Sequence, residues 1–137
     1  MSHCVLDCSA ALSWVLSGES DAATDALLDT VAAAGAVAPA LWPFEVANVL
    51  LMAERRGRIM PAERHQALVL LGELHIHIDG QAVARAWTDT LALAQVHRLT
   101  VYDASYLELA VRLGLPLASR DMELRSAASA GGVSLSI

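Results

Sequence analysis

Lysine is absent from the 137 residues: all nine basic side chains are arginine, set against fifteen acids, for a formal net charge of −6. Residues 1–53 hold six acids and no Lys or Arg at all. An acidic chain does not attract nucleic acid through its overall field, so handling phosphate would require locally placed cations. Cysteine is nearly absent too. Cys4 and Cys8 are the only two, and their spacing forms neither a Cys-x-x-Cys pair nor a Cys/His zinc cluster. Both read as reduced thiols. Long apolar runs are missing, although 55% of residues are hydrophobic and the mean hydropathy is +0.47. The longest, Val31 to Phe44, is broken by Gly35, Pro39 and Pro43 and is too short to cross a bilayer. The opening MSHCVLDC has no basic residue ahead of an apolar core, so it does not look like a secretory signal; a cytoplasmic location and no membrane contact are the expectations.

Short β-like runs alternate with longer helical ones. Cys4-Val5-Leu6 reads as a strand ending at Asp7, and Ser9 opens an amphipathic stretch that Gly18 stops. Ser20-Asp21 starts a helix that Gly35 closes, and Ala36-Val37-Ala38 is a brief buried strand. Pro43 suits the first turn of a helix running to Arg56-Gly57, and Pro61 opens the next. His75-Ile76-His77-Ile78 alternates as a third strand, and Gln81 to His97 reads as one long helix. Thr100 opens a helix ended by Gly114, Leu115 to Ala118 is a fourth strand, Asp121 opens the last helix, and Val133 to Ile137 is a fifth strand. Strands separated by helical crossovers imply a three-layer α/β/α domain with a central five-stranded parallel sheet. With no linker or repeat in sight, residues 1–137 read as one domain. In such folds, ligands bind at the carboxyl ends of the strands, near a switch in strand order.

Four acids fall at that edge: Asp7, Glu45, Asp103 and Asp121. Each has an ordinary explanation. Asp7 and Asp121 could cap helices, Glu45 could complement a helix dipole, and Thr100-x-x-Asp103 has capping-box spacing. Ser, Thr or Asn would serve a cap equally well, so four carboxylates on one edge call for a joint explanation. Brought together, they repel one another and do not all stay ionised uncompensated. Mg²⁺ or Mn²⁺ supplies the compensation, since hard divalent cations prefer oxygen ligands and bridge to phosphate. The chemistry implied is metal-assisted hydrolysis of a phosphodiester.

The blocks VLDCSA, PFEVANVL, LTVYDASYLELA and LPLASRDMEL, in this order and spacing, resemble the PIN-domain ribonucleases, and specifically the toxins of VapBC toxin–antitoxin pairs. The resemblance spans essentially the whole chain. It implies a PIN-like fold and a Mg²⁺- or Mn²⁺-dependent endoribonuclease leaving 5′-phosphate and 3′-hydroxyl ends. A cognate antitoxin as partner and a homodimer are implied as well. It implies further that Asp7 and Asp103 are the principal metal ligands and that Glu45 and Asp121 complete the acidic pocket. Ser9, Asn48 and Ser119 match small polar positions around it, Ser119 standing where threonine is commoner.

Arg112 and Arg120 are the arginines expected on or beside the acidic edge, hence the candidates for RNA contact. The cluster Arg55, Arg56 and Arg58 reads as the solvated end of a helix, and His75 and His77, with no further nitrogen or sulfur ligand nearby, as a strand edge. Two other functional classes fit the residues: a catalytically silent binding module acting through a partner, and a receiver-like domain forming an aspartyl phosphate on Asp7. The second lacks the lysine that such folds usually place near the phosphate.

Overall fold

The computed structural model describes residues 2–137. Four parallel strands form one sheet: β1 (Val5–Leu6), β2 (Ala36–Pro39), β3 (Ile76–Asp79) and β4 (Leu117–Ala118), in the order β3-β2-β1-β4. Val5 pairs with Val37 on one side and with Leu117 on the other, so β1 is central. Cys4, Val5 and Leu6 are all fully buried. Successive strand residues point to opposite faces, so a run buried throughout means that both faces are covered, as the three-layer expectation requires.

The helices are α1 (Cys8–Leu12), α2 (Ala22–Ala34), α3 (Trp42–Arg55), α4 (Pro61–Glu73), α5 (Leu91–His97), α6 (Val101–Leu113) and α7 (Met122–Ala130). Their ends follow local chemistry. Asp21 caps α2 by accepting from the Thr24 N–H at 2.8 Å while Thr24 Oγ1 accepts from the Asp21 N–H at 2.8 Å. Proline sits in the first turns of α3 and α4, where a missing N–H costs nothing. Gly35 ends α2 at φ +76°, and a Cβ there would lie 2.8 Å from the His75 carbonyl oxygen, so only glycine lets β2 start so close to the chain entering β3. Helix α6 lies against β1, β2 and β4 with Ala104 to Ala110 buried, which explains its nearly continuous apolar run.

Two expectations need correction. The fifth strand is reduced to a single parallel bridge between Leu117 and Leu135, held by Leu117 N–H to Ser134 O and Ser136 N–H to Leu117 O, each 2.8 Å. Strand β4 is only two residues long, and Pro116 before it has no N–H to extend the ladder. The long helix over Gln81 to His97 is instead a 3₁₀ turn at Val83–Arg85, a π-helical turn at Ala86–Thr90, and then α5. Its buried residues are only Ala82, Thr90 and Ala94, too few and too small to hold one straight amphipathic helix.

Candidate active site

Chain direction along the sheet turns back at β1, whose neighbours are β2 and β4, and a crevice opens beyond their carboxyl ends. A pocket of about 570 Å³ lies there, with Asp7, Glu45, Asp103 and Asp121 all in its lining, together with Ser9. The four acids come from four different segments, so the sheet edge is what assembles them.

Asp7 directly follows β1 and is buried. It occupies the N-cap position of α1, yet its side chain makes no cap bond. Its Oδ2 instead accepts from two hydroxyls, Ser9 Oγ and Ser119 Oγ, both at 2.7 Å. Burial raises its pKa, the two hydroxyls and the Cys8 N–H oppose that, and the charge of Asp121 adds to the rise. Ser119, wholly buried at the end of β4, also accepts from the Asp121 N–H at 3.0 Å, which ties two of the acids to one hydroxyl. Asp121 does cap its helix: Oδ1 accepts from the N–H groups of Glu123 at 2.9 Å and Leu124 at 3.1 Å.

Glu45 stands in the first turn of α3 and accepts a hydrogen bond from the Tyr106 hydroxyl. Burial raises its pKa, the Tyr106 hydroxyl opposes the shift, and the charges of Asp7 and Asp103 push it further up. Tyr106 itself is wholly buried, and its pKa is pushed up by burial and by Glu45, so it stays a neutral donor. Asp103, in the first turn of α6, has half of its capping box: Thr100 Oγ1 accepts from the Asp103 N–H at 3.1 Å. Its carboxyl is also pushed up, first by burial and then by Asp121 and Asp7, against the Thr100 hydroxyl. Cys8 lines the same pocket, and burial with the charges of Glu45 and Asp7 pushes its thiol up to about 12.

The residues singled out from the sequence do not all meet. Arg120 lines the pocket, whereas Arg112 does not. Arg112 donates to Glu108 at 2.7 Å and to Asp79 at 2.7 Å, in a network that Arg85 joins through Glu108 at 3.6 Å. Glu108 is only 3% exposed, and a buried carboxylate needs such partners, so Arg112 is committed to holding α6 against the end of β3. Asn48 lies one turn beyond Glu45, exposed and outside the lining. The sequence pattern did not single out Tyr106: its spacing three residues after Asp103 puts it one helical turn on, near that acid, but does not report its bond to Glu45. Sequence reasoning also missed Arg58 and Glu19, which share the pocket wall.

The donors fit a hard divalent cation. They are carboxylate and hydroxyl oxygens, and three of the acids carry pKa values raised first by burial and then by the charges of neighbouring acids in the pocket, which a cation would offset. They are not drawn tight: among the described residues no three His, Cys, Asp or Glu side chains are already close enough together to hold an ion. A ring of acids around an open pocket suits an ion that keeps several waters, as Mg²⁺ does.

A parallel sheet flanked by helices, with acids gathered where strand order turns back, defines an α/β domain with an acidic pocket at its switch point. Within that class the chain belongs to the PIN domain family, whose model matches residues 4–130. It is 37% identical over 81 residues, 59% of this chain, to Ribonuclease VapC3 of Pyrobaculum aerophilum, and the match spans 62% of that relative's length. Among solved structures it is similar to PAE2754 from Pyrobaculum aerophilum, at a TM-score of 0.69 and 25% identity over 92% of this chain and 79% of that one. FitAcB from Neisseria gonorrhoeae shares the fold at a TM-score of 0.64 and 16% identity, over 96% of this chain and 94% of that one. Among the described residues no helix is long and apolar enough to cross a membrane.

Proposed function

We propose that the chain is a Mg²⁺- or Mn²⁺-dependent endoribonuclease, the toxin of a VapBC-type pair, acting on RNA, restrained by a cognate antitoxin and assembling as a homodimer. The observation that carries this reading is the placement of Asp7, Glu45, Asp103 and Asp121 around one pocket at the switch point of the sheet. PIN domain membership and the ribonuclease relative support it.

Asp7 and Asp103 would hold the ion, with Glu45 and Asp121 completing the pocket directly or through water. Bound there, the cation would offset charge on the phosphate and lower the pKa of water. The hydroxyls of Ser9 and Ser119 favour the ionised form of Asp7 that a cation needs. Glu45, aimed by the Tyr106 hydroxyl and with its pKa raised by burial and the neighbouring acids, is the candidate to take the proton of the attacking water. Water oxygen bonds to phosphorus as the bond to the 3′-oxygen breaks, and that oxygen takes a proton from solvent. The products carry 5′-phosphate and 3′-hydroxyl ends. Arg120 lies in the pocket wall and would steady the strand.

The test is cleavage of a single-stranded RNA pool by purified protein with Mn²⁺ or with EDTA, beside Asp103→Asn. Loss of cleavage by about 100-fold or more is expected in EDTA and in the variant, equivalent to about 2.7 kcal/mol of barrier. Equal cleavage by Asp103→Asn at matched purity would sink the assignment. The spread of the acids favours one rival, a silent module acting only through its partner. Calorimetry separates the two: Mn²⁺ uptake lost in Asp7→Ala supports the enzyme, and no uptake by the wild type supports the module.

A further inference from the structure

Among the described residues, two of the nine arginines line the acidic pocket, Arg120 and Arg58. Four others are occupied elsewhere: Arg64 by Glu54, Arg85 by Asp89, Arg112 by Asp79 and Glu108, and Arg125 by the Ser119 carbonyl. Arg58 reaches the pocket because of how α3 ends. The Arg58 N–H bonds back to Ala53 O at 2.9 Å and the Gly57 N–H to Glu54 O at 2.9 Å, the paired bonds of a Schellman turn with Gly57 at φ +74°. That turn sends the chain back after the last helical turn and brings the third arginine of the cluster to the pocket wall; Arg55 and Arg56 are exposed outside the lining.

The guanidinium of Arg58 is held only loosely, 3.6 Å from Glu19, with side chains 55% and 38% exposed. An exposed pair of this kind contributes little and gives way to a better acceptor. Phosphate is such an acceptor, since its oxygens match the guanidinium fork in two parallel hydrogen bonds. Apolar Leu12, Leu16 and Val49 share the lining with Glu19 and Arg58, a wall against which a sugar or base could lie. A strand entering among four carboxylates is repelled on either side of the cut phosphate, so a cation in the same pocket is needed to hold its neighbour.

Resting on the ribonuclease reading, we infer that Arg58 is a substrate-positioning cation of this pocket, on the wall formed with Glu19 and apart from Arg120: it binds the phosphate next to the one cut, and Glu19 parks it there until RNA displaces the pair. The experiment uses a fluorescein-labelled single-stranded oligoribonucleotide with Mn²⁺, reading KM, kcat and the salt dependence of binding. Arg58→Ala is expected to raise KM about tenfold, leave kcat within about twofold, and reduce the slope of log affinity against log salt by about one. Arg58→Lys should recover part of the loss. Glu19→Gln should lower KM about threefold, an effect absent when Arg58→Ala is added, and Arg55→Ala should match the wild type. Wild-type cleavage with Arg58→Ala unchanged in KM and salt slope overturns this inference alone. A fall in kcat at constant KM also overturns it. A wild type that neither binds nor cuts RNA overturns the functional reading, and this inference with it.

Discussion

At the scale of single residues, the site is organised by hydroxyls as much as by acids. Ser119 Oγ donates to Asp7 and accepts from the Asp121 N–H, so one buried side chain orients two members of the pocket. Ser119→Ala removes a stabiliser of ionised Asp7, whose pKa is already raised by burial, and its folded-state value rises further. The acid limb of the pH–rate profile should therefore move to higher pH, and activity at neutral pH should fall about tenfold, the usual size of an effect on a ligand's supporting partner. Ser119→Thr, which keeps the hydroxyl, should retain the wild-type profile; an alanine variant with an unmoved acid limb would count against the role. The acids were legible in the sequence because each sits at a strand end or in a helix's first turn, positions that local pattern fixes. Their partners were not. Tyr106 lies 61 residues from Glu45 and Arg112 lies 33 from Asp79, and no local periodicity reports a contact of that reach.

At the scale of elements, the helices with strong end signals were readable and those without were not. Asp21, Thr100 and Asp121 stand at the N-caps of α2, α6 and α7 where their side chains lead one to expect them. The segment from Val83 to His97 has no such stripe or cap, and with only a few small residues to bury it divides into a 3₁₀ turn, a π-helical turn and α5. The last strand failed for a different reason, because strand pairing depends on the partner's length and β4 offers two residues. Gly57 shows how an element's end can carry function. Its left-handed conformation costs an L-residue about 1 kcal/mol, and nothing lies within 4 Å of a Cβ added there, so strain rather than collision is the whole effect. Gly57→Ala should lower stability in chemical denaturation by about that amount and, by loosening the turn that carries Arg58, raise KM for RNA. A stability loss with KM unchanged would separate the turn from the pocket.

At the scale of the whole molecule, the acidic pocket sets a cost that folding must carry, and pH should reveal it. Asp7, Glu45 and Asp103 have folded-state pKa values above their unfolded ones, so the folded chain binds more protons than the unfolded chain in the interval between. Stability linked to these groups is then full below about pH 4, the ordinary carboxylate value, and falls as pH rises through the raised values. Asp79 acts in the opposite sense. Its hydrogen bonds to Arg112 hold its pKa down, so its contribution is present above about pH 4 and is lost as pH drops through the lowered value. Without divalent cations the melting temperature should therefore peak at about pH 4 and decline as pH rises through the raised values. Asp103→Asn should flatten that decline and melt higher than the wild type at pH 7, even as it loses cleavage. Mn²⁺ or Mg²⁺ at about 100 times its dissociation constant should offset the penalty in the wild type by about 2.7 kcal/mol and do much less for the variant. Thermal melts across pH, with EDTA or Mn²⁺, decide the matter. If Mn²⁺ leaves the wild-type curve where EDTA puts it, these carboxylates are not a cation site and the fold tolerates their repulsion for another reason.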